Sequence, residues 1–121
     1  MHTTILTGIS WAFGDKPYTN YEQFIQDVAE YNQTLLAYGN VWSPTDIVCT
    51  GPIRIQYEAY WKSEDNFLIV EIGTAGEPLS TGQLLFTLSN AAVDFFSEAD
   101  HRYFEGLDQA KLGVYWLRTG S

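Results

Sequence analysis

DIVCTGPIRIQYEAYWK, residues 46–62, alternates from its middle onward. Ile53, Ile55, Tyr57, Ala59 and Trp61 fall on one side, and Arg54, Gln56, Glu58, Tyr60 and Lys62 on the other. Successive side chains of an extended chain point to opposite faces. This period of two therefore predicts a long strand with one face in a core and the other toward water. The polar SEDN of residues 63–66 reads as a turn, and FLIVEIG, residues 67–73, returns as the antiparallel partner. Its apolar residues lie on both faces, the pattern of a strand placed centrally in a sheet.

Outward from this hairpin the period changes. Tyr21, Phe24, Ile25, Val28, Leu35 and Leu36 recur at helical spacing, with Glu22, Gln26, Asp27, Glu30 and Gln33 facing elsewhere. Thr19 and Glu22 have the spacing of a capping box, and Gly39 stands where a helix closes, so a helix is expected over about residues 20–38. Beyond the hairpin TAGEPLS reads as loop. Ser80 and Gln83 then repeat the capping spacing before a stripe of Leu84, Leu85, Leu88, Ala91, Ala92, Phe95 and Phe96, which predicts a second helix over about 81–97. At the ends of the chain, TTILTGISWAF (residues 3–13), RYFEGL (102–107) and LGVYWLRTG (112–120) read as strands.

This order predicts an α+β fold in two layers: an antiparallel or mixed sheet of about four to six strands with both amphipathic helices packed on one face. With 121 residues the expectation is one domain, residues 1–121, able to bury a core without metal or disulfide.

Fifteen acidic residues against six basic give a net charge of -9. Such a surface repels phosphate backbones and anionic lipid heads, so neither nucleic acid nor a membrane is expected as a partner. It favours encounter with a basic protein instead. Four Trp, eight Tyr and seven Phe exceed what a small core needs, which points to aromatics in a groove or an interface. The one cysteine, Cys49, excludes an internal disulfide and a CxxC metal site, and its apolar neighbours suit a small buried hydrophobe. MHTTILTGIS has no charged lead and long apolar run of a signal segment, and nowhere do about 18 apolar residues run uninterrupted. The default expectation is a cytoplasmic protein.

SEADHRYFEGLD, residues 97–108, concentrates the chemistry. His101 has the side chain best suited to proton transfer near neutral pH, Asp100 could fix its tautomer, and Glu98 or Glu105 could serve as the second carboxylate. Arg102 could hold an anionic group. The plainer reading is a helix exit, where cationic side chains complement the macrodipole and Tyr103 or Phe104 plugs the core. Neighbours on an extended segment point to opposite faces, so Asp100, His101 and Arg102 would not converge. The spacing of these carboxylates matches no zinc or calcium pattern, so neither a metal site nor a cofactor is expected. GTAGEP, residues 73–78, has the position of a phosphate loop but neither its lysine nor its spacing.

The polar side of the 53–62 strand is the other candidate. If both helices cover one face of the sheet, the opposite face is open, and Tyr60, Arg54 and Phe67 would line a docking surface there, with Arg102 as a further contact. The composition leans away from catalysis. It points first to a protein-interaction module of the inhibitor or immunity type, binding a basic protein or self-associating. The alternatives are a small-molecule-binding domain with an aromatic pocket, and a hydrolase or isomerase using His101 with a carboxylate.

Overall fold

The computed structural model describes residues 4–13, 16–34, 42–59, 61–64, 66–96 and 102–120, with the backbone of Leu35 in addition. Within these the chain runs β1 (Thr4–Ile5), α1 (Tyr21–Leu35), β2 (Ile47–Thr50), β3 (Ile53–Glu58), β4 (Phe67–Ile72), β5 (Pro78–Ser80), α2 (Thr81–Ala92), β6 (Tyr103–Lys111) and β7 (Val114–Gly120). Five strands form one mixed sheet in the order β1-β6-β7-β3-β4, and β2 pairs with β5 in a separate two-stranded ladder. All pairs are antiparallel except β3 with β7. The α+β fold with a mixed sheet is as the sequence predicts.

The period of two in β3 holds. Ile53 and Ile55 are buried with Val70 and Ile72 of β4, Phe104 and Leu107 of β6, and Tyr115 and Leu117 of β7. Against this face pack Phe24 and Val28 of α1 and Leu84, Leu85 and Leu88 of α2, all inside one contiguous core. Polar side chains bind the segment before α1 to the helices. Asn32, fully buried, accepts from the Ser10 N–H at 2.8 Å and donates to the Ser10 and Val28 carbonyls at 2.9 and 2.8 Å. The Trp11 indole donates to Ser89 at 3.0 Å, and Asn90 exchanges two bonds with the Tyr18 backbone. Among the described residues no buried side-chain nitrogen or oxygen lacks a hydrogen-bond partner, which is what a buried amide requires.

Several expectations need correction. The 46–62 run is two strands, because Gly51 and Pro52 interrupt it: proline lacks the ladder donor, and a Cβ on Gly51 would stand 3.0 Å from the Gly73 Cα. The first half, β2, pairs with β5, which lies in the stretch that reads as loop. The long strand also ends early. After Glu58 the chain turns, with the Lys62 N–H bonded to the Ala59 carbonyl at 3.0 Å, so Trp61 is 41% exposed instead of inward. Lys62 lies over the Phe95 ring, 4.0 Å from its centroid, instead of on the polar side. The opening strand is only β1 plus a bridge from Ala12 to Tyr103, although every second residue, Ile9, Trp11 and Phe13, is buried. The helix α1 is capped by Asn20, whose side chain accepts from Gln23 N–H at 3.1 Å, and not by Thr19. Ser80 caps α2 as expected, accepting from Gln83 N–H at 3.2 Å. FLIVEIG, read as central, is the sheet's edge. The proposed closure at Gly39 lies outside the described residues.

Candidate docking face and aromatic cleft

The helices cover one face of the sheet, and the register places a defined set of side chains on the other. Gln56 of β3 stands between Ile69 of β4 and Trp116 of β7, its Cα partners on either side. One step along, Phe67 is opposite Glu58, and Arg54 is opposite Glu71 and Val114. Neighbouring strands lie about 4.8 Å apart, so Ile69 and Trp116 are about 10 Å apart across the glutamine. Phe67 is 54% exposed, Ile69 59% and Trp116 39%. Aromatic and branched side chains this open on the two strands that flank β3 form one apolar surface spanning Gln56, in contrast to isolated exposed residues, which are ordinary.

The charges around them are partly spent. Arg54 pairs with Glu71 at 3.4 Å and Arg118 with Asp108 at 3.8 Å, leaving Glu58 without an ion pair among the described residues. Both pairs are exposed and add little stability, but they hold the flanks of the apolar row nearly neutral. Of the sequence-predicted binding residues, Arg54 and Phe67 share this face. Arg102 precedes β6, with its guanidinium 5.7 Å from the Tyr103 ring centroid and its charge felt by Tyr31 on α1. Tyr60 lies outside the described residues. Ile69 and Trp116 were missed. Their signal was the alternation within FLIVEIG and GVYWLRTG, which sets Ile69 with Phe67 and Trp116 with Val114 on the side away from the core.

Of the catalytic candidates, His101, Asp100 and Glu98 lie outside the described residues. Glu105 is exposed on β6, with its carboxylate against Gly120. Phe104 takes the core position, 3% exposed, and Gly106 forms a bulge at φ 124°. Among the described residues no His, Cys, Asp and Glu cluster suits a metal ion. The GTAGEP loop turns back on the chain, with the Gly76 N–H bonded to the Gly51 carbonyl at 3.3 Å. Burial pushes the Cys49 thiol up from its ordinary pKa, which keeps it protonated and a poor nucleophile at neutral pH.

A second feature lies on the helix side. Trp11, Lys16, Tyr18, Asp27, Glu30 and Tyr31 line a cleft of about 400 Å³ along α1. Trp11 meets Tyr31 edge-on at 5.5 Å and Tyr18 at 6.1 Å, and Lys16 lies 5.1 Å over the Tyr18 ring. The Tyr18 hydroxyl donates to Asp27 at 2.6 Å and Gln23 donates to its other oxygen at 2.7 Å. These bonds, the tyrosine's foremost, hold the Asp27 carboxyl below the usual carboxylate range. Burial pushes the Tyr31 phenol up. The arrangement can hold a cation against aromatic faces, and shows no nucleophile beside a base.

Among the described residues no helix is long and apolar enough to cross a membrane. No family model matches the chain, and no curated protein or solved structure shows significant similarity to it.

Proposed function

We propose that this protein is a non-catalytic interaction module whose open sheet face docks a basic protein partner. The observation that carries this is the apolar row of Phe67, Ile69 and Trp116 on a face that neither helix covers. Large exposed apolar residues at the centre of a contact supply most of its affinity, and their flanking pairs Arg54–Glu71 and Arg118–Asp108 form a polar rim. The net charge of -9 supplies long-range attraction toward a basic protein and speeds encounter.

The test is capture from a native lysate on wild-type and Trp116→Ala baits, at salt between roughly 0.05 and 0.3 M. The expected partner is basic, is lost at the higher salt, and dissociates on the order of tenfold faster or more from Trp116→Ala. Recovery of the same partner in equal yield on both baits would refute this docking face. The cleft supports a second reading, a site for a small cationic ligand held by Trp11, Tyr18, Tyr31 and Asp27. Ligand-induced stabilisation of wild type that is lost in Tyr31→Ala would favour it.

A further inference from the structure

The strand β4 carries apolar residues on both faces, the composition of a strand with neighbours on each side, yet it ends the sheet. The two edges are treated differently. At the far edge β1 is two residues long among the described residues, a short strand beside β6. At the near edge β4 runs for six residues in unbroken register with β3, without proline, lysine or a bulge, the usual guards of an open edge.

The hydrogen-bond phase follows from one contact. The Ala59 N–H bonds to the Asn66 carbonyl at 2.7 Å. In an antiparallel pair a residue's N–H and C=O point the same way and alternate along the strand. Leu68, Val70 and Ile72 therefore direct their backbone groups to β3, and Phe67, Ile69 and Glu71 direct theirs away from the sheet.

We propose that a second copy of this chain pairs with this edge, antiparallel and about a two-fold axis at Ile69, so that the two five-stranded sheets become one. In that register Ile69 faces Ile69, Phe67 faces Glu71, and Leu68 faces Val70 on the helix side. Phe67, Ile69 and Glu71 of each copy exchange backbone bonds with those of the other. The pairing is self-complementary in charge. Glu71 is the only charged residue of β4, stays beside its own Arg54, and meets a phenyl ring instead of a second carboxylate. The apolar row of one copy continues into that of the other.

The interface is small, a strand on each side against the roughly 800 Å² per partner of a standard interface, so the dimer forms reversibly with concentration. Copies of charge -9 repel, and salt screens that repulsion, so salt strengthens the dimer. Docking of a basic partner has the opposite salt dependence, which separates the two proposals.

The test is sedimentation velocity on the full chain up to about 0.2 mM, at salt from about 0.05 to 0.5 M. Wild type is expected to dimerise, more tightly at high salt. Ile69→Lys places like charges across the axis, and Ile69→Pro removes an N–H that points away from β3, so each should weaken association about tenfold or more. Trp116→Ala should leave it unchanged. Circular dichroism reports whether the variants fold, and Ile69→Lys alone decides if the proline variant does not. A wild type that stays monomeric throughout, or a dimer equally tight in Ile69→Lys, overturns the proposal and leaves the docking reading standing.

Discussion

Asp27 and Gly106 show how single residues govern this fold. The Tyr18 hydroxyl and Gln23 amide favour the charged form of Asp27, so its folded pKa lies below the ordinary carboxylate value near 4. The stability this adds is present above that ordinary value and is lost as pH falls through the folded one. Tyr18→Phe removes the larger cause. The stability gap between wild type and Tyr18→Phe should be constant above about pH 5 and narrow below about pH 4, and an NMR titration should show the Asp27 pKa moving up. A gap independent of pH would mean that the hydroxyl does not favour the carboxylate. Gly106 sits at φ 124°, where an L side chain is strained, and a Cβ there would meet the Ile5 carbonyl at 2.9 Å. Gly106→Ala should therefore cost on the order of 2 kcal/mol or more, read as a lower denaturant midpoint. The bulge exists because β6 must bring both Phe104 and Leu107 to the core, and an extra residue between them makes that parity.

At the scale of elements, each helix start is a question of which oxygen reaches the free N–H groups. Asn20→Ala and Ser80→Ala should each cost about 1 kcal/mol, while Thr19→Ala should be nearly silent. Chemical denaturation of the three variants checks this, and equal effects at residues 19 and 20 would move the start of α1. Thr19 fits the spacing of a capping box as well as Asn20 fits a simple cap, so spacing could not choose between them. The period of two identified the inward Ile53 and Ile55 of β3, but not where β3 stops. Trp61 continues the alternation on paper, whereas the chain turns at Ala59 to bring Lys62 over Phe95. Local pattern records which side chains are apolar and is silent on where the backbone bends.

Across the whole molecule, charge and exposed apolar surface act at different ranges. The net charge of -9 sets how salt changes association, with opposite signs for a basic partner and for a second copy. The row of Phe67, Ile69 and Trp116 sets what holds a contact once it is made. The α+β class, the inward Ile53 and Ile55 of β3, both helices and the Ser80 cap were legible in residue order, because hydrophobic period and capping are properties of a few consecutive residues. The order of strands was not. The parallel contact of β3 with β7 joins segments some sixty residues apart (Arg54 with Val114), and it places β7 where a local reading sets only the hairpin partner. That choice sends β4 to the edge, leaves β2 paired with β5, and sets Trp116 beside Gln56, across it from Ile69. The candidate face is thus built by long-range pairing, which is selected by how the whole core closes and leaves no trace in any short stretch of the chain.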